Sequence, residues 1–248
     1  MNKALVLNTV HRLLSRPVTL LVLIAYGFYV LISQLISQSG FQNDAMSSAG
    51  AAWFLTWALG SGLLGNDRSE GYLPLLLSRP ISRAQYVLSR WLGLLLCVLT
   101  VDLALHFLVF LFNLSSQPTP SGQMPLNFGW TLFLQRWLWF AYYATLTAAW
   151  ISLLSALFSG HGDLLYFIGA SLALLFLGGK LGSENAPAVI LKALAWFWKP
   201  GDATYQAWIG QDHAGAAYTA LIFVAAAGLS LAAAAYVMQR CDVSYVNR

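Results

Sequence analysis

The chain has 248 residues, of which 58% are hydrophobic and 9% are charged, and its mean hydropathy is +0.65. Because soluble globular domains are near a quarter charged, this composition excludes an ordinary water-soluble enzyme, a disordered chain and a disulfide scaffold. The net charge is +4, and the basic residues stand at the ends of apolar runs, where they orient a membrane protein and do not indicate nucleic-acid binding. The sequence therefore predicts one all-α membrane domain over residues 1–248.

Residues 1–16 are predicted to form an amphipathic helix that lies in the cytoplasmic interface of the membrane. At about 100° per residue, five apolar side chains share one arc and the polar and basic ones share the other. The apolar arc comprises Val6, Leu7, Val10, Leu13 and Leu14. Pro17 separates this helix from the first span. The alternative interpretation of residues 1–16 is a frayed cytoplasmic tail.

Six apolar runs are long enough to cross a bilayer at about 20 residues each. They are Val18–Ser37, Ala45–Gly65, Tyr86–Asn113, Leu132–Phe158, Leu164–Leu181 and Ala214–Met238. Because backbone N–H and C=O groups have no water to bind in hydrocarbon, each run is predicted to be a helix.

The distribution of basic residues predicts that both termini lie in the cytoplasm. Of the thirteen Lys and Arg residues, nine then fall on the inner side and four on the outer side, which is the bias of membrane proteins. The outer four are Arg136, Lys180, Lys192 and Lys199.

Residues 183–213 are predicted to be a re-entrant region on the outer side, between spans five and six. Its apolar run, residues 186–198, is too short to cross the membrane. The alternative is a seventh span, which would place Arg240 and Arg248 on the outer side.

The segment between spans two and three, residues 66–85, carries most of the functional information. Asp67, Arg68 and Glu70 end the second span, Gly71 allows a turn, and Tyr72–Leu77 is a short apolar run. Arg79 and Pro80 end that run, and Ser82 with Gln85 forms a capping-box pattern at the start of the next helix. A short surface helix joined to two spans can transmit force from a soluble partner into the membrane. The alternative is a plain interfacial loop.

This stretch resembles the signature of ABC-2 type transporter permeases. The matching elements are the charged cluster and glycine at residues 67–71, the leucines of residues 73–77, Ser78-Arg79-Pro80, Arg83, Arg90 and Leu92-Gly93. Tyr72 and Pro74 depart from the pattern, and Pro74 is expected to kink or shorten the leucine helix. The six spans, cytoplasmic termini, N-terminal interfacial helix and outer re-entrant helices also fit the outline of the family.

The resemblance implies that the coupling segment, residues 66–85, docks into a groove on a separate ATP-binding subunit. The implied coupling residues are Asp67, Arg68, Glu70, Gly71, Tyr72, Leu75, Leu76, Arg79, Pro80 and Arg83. It also implies two ATP-binding subunits, a second permease copy, a bacterial inner membrane and, for most family members, export. The second permease copy is either identical to this chain or a different polypeptide.

The sequence lacks the catalytic motifs of several enzyme classes. It contains no GxxxxGK loop followed by Ser or Thr, no HExxH and no GxSxG. We therefore expect no catalytic residue, metal or cofactor in this chain, with ATP and Mg²⁺ bound by the partner subunit.

Asp102 and His106 are predicted to form a polar site within the third span, on one helix face because they are four residues apart. A charge at mid-bilayer costs about 2.5–3.5 kcal/mol on insertion scales, so the pair must face protein or water. One hypothesis is a translocation-path or proton-coupled site. The other, which the sequence favours, is a structural hydrogen bond to a neighbouring helix, for example to Tyr142 or Tyr143.

Two functions from other classes compete with transport. An intramembrane enzyme could use Asp102 and His106 as an acid and base, although few other polar residues occur at bilayer depth. A non-transporting scaffold or sensor could use the same coupling to an ATPase.

Overall fold

The computed structural model describes residues 3–38, 44–69, 81–115, 130–158, 162 and 213–240. Every element in this part of the chain is a helix. The seven helices are α1 (Lys3–Leu14), α2 (Pro17–Gln38), α3 (Asp44–Gly60), α4 (Gly65–Ser69), α5 (Arg83–Ser115), α6 (Trp130–Leu157) and α7 (His213–Arg240).

Among the described residues, three helices are long and apolar enough to cross a membrane: Arg83–Leu108 in α5, Trp137–Leu157 in α6 and Ala214–Arg240 in α7. Large apolar side chains also point away from the protein along whole helix faces. On α2 these are Leu20, Leu21, Ile24, Phe28 and Ile32, and on α7 they are Tyr218, Leu221, Val224, Leu229 and Tyr236. Such continuous faces are stable against lipid and not against water, so the chain is a helical membrane protein.

The helix bounds agree with four of the predicted apolar runs to within a few residues, namely those of α2, α5, α6 and α7. The second predicted run differs, because α3 ends at Gly60 and the chain turns before α4 begins at Gly65. Gly62 adopts a φ of 68° in this turn, a left-handed conformation that a continuous helix does not contain. The predicted fifth span, residues 164–181, and the predicted re-entrant region, residues 183–213, lie outside the described residues.

Residues 3–14 form the predicted N-terminal helix, but the buried face of α1 differs from the predicted apolar arc. Leu5, Val6, Thr9 and Leu13 are buried, whereas Leu7 and Leu14 are exposed. Thr9 is buried because α1 lies directly against α5 at Gly93. A Cβ atom at Gly93 would stand 2.6 Å from the Thr9 Cβ atom and 3.1 Å from the Val6 carbonyl oxygen, so only glycine permits this approach.

The chain divides into two compact units. One unit contains the described residues of Gly60–Arg90 and those from Ala149 onwards, and its core includes Leu64, Val87, Ala156 and Met238. The other unit contains Lys3–Leu59 and Trp91–Ala148, and its core includes Leu13, Leu55, Leu94 and Phe140.

Candidate functional site

The turn between α3 and α4 fixes the start of the coupling segment. The amide of Leu63 donates to the Gly60 carbonyl at 3.0 Å, and the amide of Asn66 donates to the Gly62 carbonyl at 3.1 Å. The amides of Leu64 and Gly65 both donate to Ser155 Oγ of α6, at 2.8 and 2.9 Å. One buried hydroxyl on α6 therefore satisfies two buried amides that the turn takes out of helical pairing.

Asp67, Tyr86 and Arg90 form a buried polar group, here called the Asp67 cluster. Asp67 lies in α4, and Tyr86 and Arg90 lie one helical turn apart near the start of α5. Their exposed fractions are 0%, 1% and 2%. The Tyr86 hydroxyl donates to Asp67 Oδ2, and Arg90 Nη2 donates to the same oxygen at 2.5 Å. The Arg90 guanidinium lies 5.4 Å from the centre of the Tyr86 ring.

This cluster ties the first residues of the coupling segment to the helix that follows the segment. Both partners of this buried ion pair contribute to its stability, since removing one charge of a buried pair typically costs about 3–5 kcal/mol. Tyr86 adds a hydrogen bond to the charged carboxylate, and its ring covers the guanidinium. Asp67 therefore joins α4 to α5.

The other end of the coupling segment is anchored in two ways. The predicted capping box is confirmed: the Gln85 amide donates to Ser82 Oγ at 3.2 Å, and the Ser82 amide donates to Gln85 Oε1 at 3.4 Å. Arg83 Nη1 donates to the carbonyl oxygens of Met238 and Gln239 in the last turn of α7, at 2.8 and 2.5 Å. The start of α5 thereby binds the end of α7.

The predicted coupling residues fall into three groups in the structure. Asp67 is buried in the Asp67 cluster, and Arg83 is half-buried against α7. The backbone of Arg68 lies in α4, and the structure does not describe its side chain. Glu70, Gly71, Tyr72, Leu75, Leu76, Arg79 and Pro80 lie outside the described residues.

The second polar site, here called the Asp102 cluster, consists of Tyr26, Asp102 and His106. The Tyr26 hydroxyl of α2 donates to Asp102 Oδ1 at 2.5 Å, and both residues are fully buried. His106 Nδ1 lies 2.9 Å from the same oxygen and 3.1 Å from the Asp102 carbonyl oxygen. Asp102 Oδ2 is buried and receives no hydrogen bond from the residues that the structure describes.

The helix that supplies the hydrogen bond to Asp102 differs from the predicted one. The partner is Tyr26 of α2, not Tyr142 or Tyr143 of α6, whose rings pack edge to face at 5.8 Å. A hydrogen bond from a neighbouring helix is what the structural interpretation of this pair predicts. Within the described ranges, no three His, Cys, Asp or Glu side chains come together as metal ligands.

Four residues of these sites could not be assigned a role from the sequence: Tyr26, Tyr86, Arg90 and Ser155. Arg90 has a weak sequence signal, since it lies seven residues after Arg83 and so shares a helix face with it. Tyr26 and Ser155 have none, because their partners are 76 and about 90 residues away.

By sequence, the chain matches no protein-family model and no curated protein. Two features of the chain itself therefore bear on its function. One is a charged segment that is anchored at both ends, and the other is a buried aspartate inside a long apolar helix.

Proposed function

We propose that this chain is the membrane-spanning permease subunit of an ABC-2 type ATP-driven transporter that works as an exporter. The observation that carries the proposal is the anchoring of the coupling segment on both sides of residues 70–80. The Asp67 cluster holds one side, and Ser82, Gln85 and Arg83 hold the other. The likeness of residues 67–93 to the ABC-2 signature supports the same function.

The anchors explain how a short segment can move long helices. A displaced loop usually absorbs force through its own flexibility, because loops have few buried contacts. Here the residues next to 70–80 are held by a buried ion pair, by two amides bound to Ser155 and by a helix cap. A push on residues 70–80 is therefore passed to the helices at both ends.

Because Asp67 is buried, its role in the proposal is not a direct contact with the ATP-binding subunit. Its carboxylate is fully buried and bound to Arg90 and Tyr86, so a docked subunit cannot reach it. Asp67 acts as a positioning residue for the coupling segment. In the proposal, the direct contacts come from Arg68, Glu70 and residues between Gly71 and Pro80.

The proposal includes a complete topology. Six spans cross a bacterial inner membrane with both termini in the cytoplasm, as the distribution of Lys and Arg favours. Two copies of the permease bind two copies of the ATP-binding subunit, which supplies ATP and Mg²⁺, and this chain carries no catalytic residue.

Site-specific photocrosslinking tests the proposal. A photoreactive amino acid at Leu76, within the coupling segment, is compared with one at Thr119. Thr119 lies between the predicted third and fourth spans, which the cytoplasmic termini place on the outer side. In membranes of the source organism, we expect Leu76 to crosslink to a protein that carries a GxxxxGK phosphate-binding loop followed by Ser or Thr. Thr119 is expected to give no such product.

Two results would contradict the proposal. One is an ATP-binding subunit that crosslinks from Thr119 and not from Leu76, which would place the segment on the opposite side of the membrane. The other is a Leu76 derivative that is folded and present in the membranes of the source organism and gives no crosslink to any ATP-binding protein.

A further inference from the structure

The last helix ends in carbonyl groups that no helical amide can bind. The last four C=O groups of any α-helix lack an amide partner within the helix, and they carry the negative end of its dipole. In α7 two of these groups belong to Met238 and Gln239, which lie in the last turn of the helix, before its end at Arg240. They are a natural binding site for an arginine.

Arg83 occupies that position. Its Nη1 atom donates to both carbonyl oxygens, at 2.8 Å for Met238 and 2.5 Å for Gln239. The Met238 side chain is itself 1% exposed, so the end of α7 is fixed both by its side-chain packing and by its backbone oxygens. Arg240, in the same turn, instead lies over the Tyr236 ring at 4.7 Å.

The position of Arg83 in the chain gives this contact its significance. Arg83 is the first residue of α5 and follows directly after the capping residue Ser82. Any displacement of the coupling segment that reaches α5 moves the guanidinium, and the guanidinium moves the end of α7. Arg83 and Met238, which are 155 residues apart in sequence, thus connect the start of α5 to the end of α7.

We propose that Arg83 is a positioning residue that links α7 to the coupling segment, so that nucleotide-driven movement reaches the last span as well as α5. This inference rests on the proposed transport function. It assigns the guanidinium to the chain's own helix end, and not to a groove on the ATP-binding subunit.

Hydrogen exchange measured by mass spectrometry tests the link. The wild-type permease with its ATP-binding subunit, in lipid nanodiscs, is compared with the Arg83→Met complex in ATP and in ADP. Methionine keeps the unbranched apolar stem of the side chain and removes the guanidinium, and with it the donors and the charge. We expect amides in the last turn of α7 to exchange roughly threefold to tenfold faster in Arg83→Met, as loss of one or two hydrogen bonds predicts. We also expect the difference between ATP and ADP in α7 to fall by at least about half, with the difference in α5 retained.

Two further variants separate the link from a general loss of structure. Arg240→Met removes an arginine from the same turn without touching the two carbonyl bonds, so it should leave the nucleotide response of α7 intact. Arg83→Lys keeps a positive donor at the helix end and should restore part of that response. Arg83→Lys also serves as the test variant if Arg83→Met fails to fold.

The inference is overturned if α7 responds to nucleotide as strongly in Arg83→Met as in wild type, or if the wild-type complex shows no response in α7. It is also overturned if Arg240→Met abolishes the response as fully as Arg83→Met does. Failure of the proposed function gives a different result, because the wild-type chain would then bind no ATP-binding subunit at all.

Discussion

The Asp67 and Asp102 clusters are built from similar parts but differ in their basic residue. In each, a fully buried aspartate accepts a hydrogen bond from a tyrosine on another helix and lies beside a basic side chain. In the Asp67 cluster the basic residue is a buried arginine. In the Asp102 cluster it is a histidine whose side chain is 25% exposed, and the second carboxylate oxygen has no donor among the described residues.

The two clusters differ in how the aspartate is bound. The Arg90 guanidinium is a planar group with several donors, which favours a fixed geometry at Asp67. Histidine can be charged or neutral, so the balance at Asp102 depends on its surroundings. Variants that remove one partner at a time measure how much each contact contributes to the stability of the protein.

The largest effect is expected from Arg90→Met, which removes the guanidinium that binds the buried Asp67 carboxylate. We expect the free energy of unfolding in detergent to fall by about 3–5 kcal/mol. The double variant Asp67→Asn with Arg90→Met should recover most of this loss, because it leaves no buried charge. Equal stability of Arg90→Met and wild type would show that the Asp67 cluster is not the anchor of the coupling segment.

Replacing each tyrosine by phenylalanine compares the two clusters directly. Tyr26→Phe removes the only donor that reaches Asp102 from another helix in the described part of the chain, and we expect a loss of about 2–3 kcal/mol. Tyr86→Phe should cost only about 1 kcal/mol, because Arg90 still binds Asp67. Denaturant unfolding of both variants gives the values. A larger loss for Tyr86→Phe would reverse the comparison.

A third pair of variants tests the turn that presents Asp67. Gly62→Ala forces a left-handed conformation on alanine, and its Cβ atom would lie 2.7 Å from the Asn66 side-chain oxygen, so we expect a loss of about 1–2 kcal/mol in thermal unfolding. Gly228→Ala is the matched control: it lies within α7 with no atom within 4 Å of the new Cβ. It should be neutral or stabilising by up to about 1 kcal/mol. Equal effects would show that the turn carries no strain.

The smallest effect is expected at His106. His106→Leu should cost about 1 kcal/mol or less, since the side chain is partly exposed, and His106→Gln, which keeps a donor, should be close to wild type in unfolding. If the role of His106 is structural, each variant should lose transport activity only to the extent that it loses stability. Loss of transport in His106→Gln with unchanged unfolding would instead favour the proton-coupled hypothesis for this pair.

Sequence patterns predicted the parts of the fold that depend on local chemistry. Four apolar runs gave helix bounds within a few residues, and the spacing of Ser82 and Gln85 gave the helix cap. The turn at Gly62 was missed, because glycine is also common within membrane helices and the bonds from the Leu64 and Gly65 amides reach Ser155, about 90 residues away. The buried face of α1 was missed, since it depends on the close approach to Gly93.

The two polar clusters could be predicted only in part, because they also depend on contacts between residues that are distant in the sequence. Spacing identified Asp102 and His106 as a pair, and the charged composition marked Asp67. Arg90 was identified as part of the signature and on the helix face of Arg83, but its bond to Asp67 was not predicted. That bond, like the bond from Tyr26 to Asp102, follows from how the helices pack. Burial also changed the interpretation of Asp67. A charged residue at a helix end is usually exposed and available for contact with a partner, whereas Asp67 is fully buried.

The hydrogen bond from Tyr26 to Asp102 also bears on how the protein enters the membrane during synthesis. Helices reach the bilayer in order from the N-terminus, so α2 precedes α5. An aspartate arriving alone would oppose partitioning by about 2.5–3.5 kcal/mol. In the six-span topology proposed above, α2 enters the membrane before α5, so the Tyr26 hydroxyl that donates to Asp102 is already present when α5 arrives.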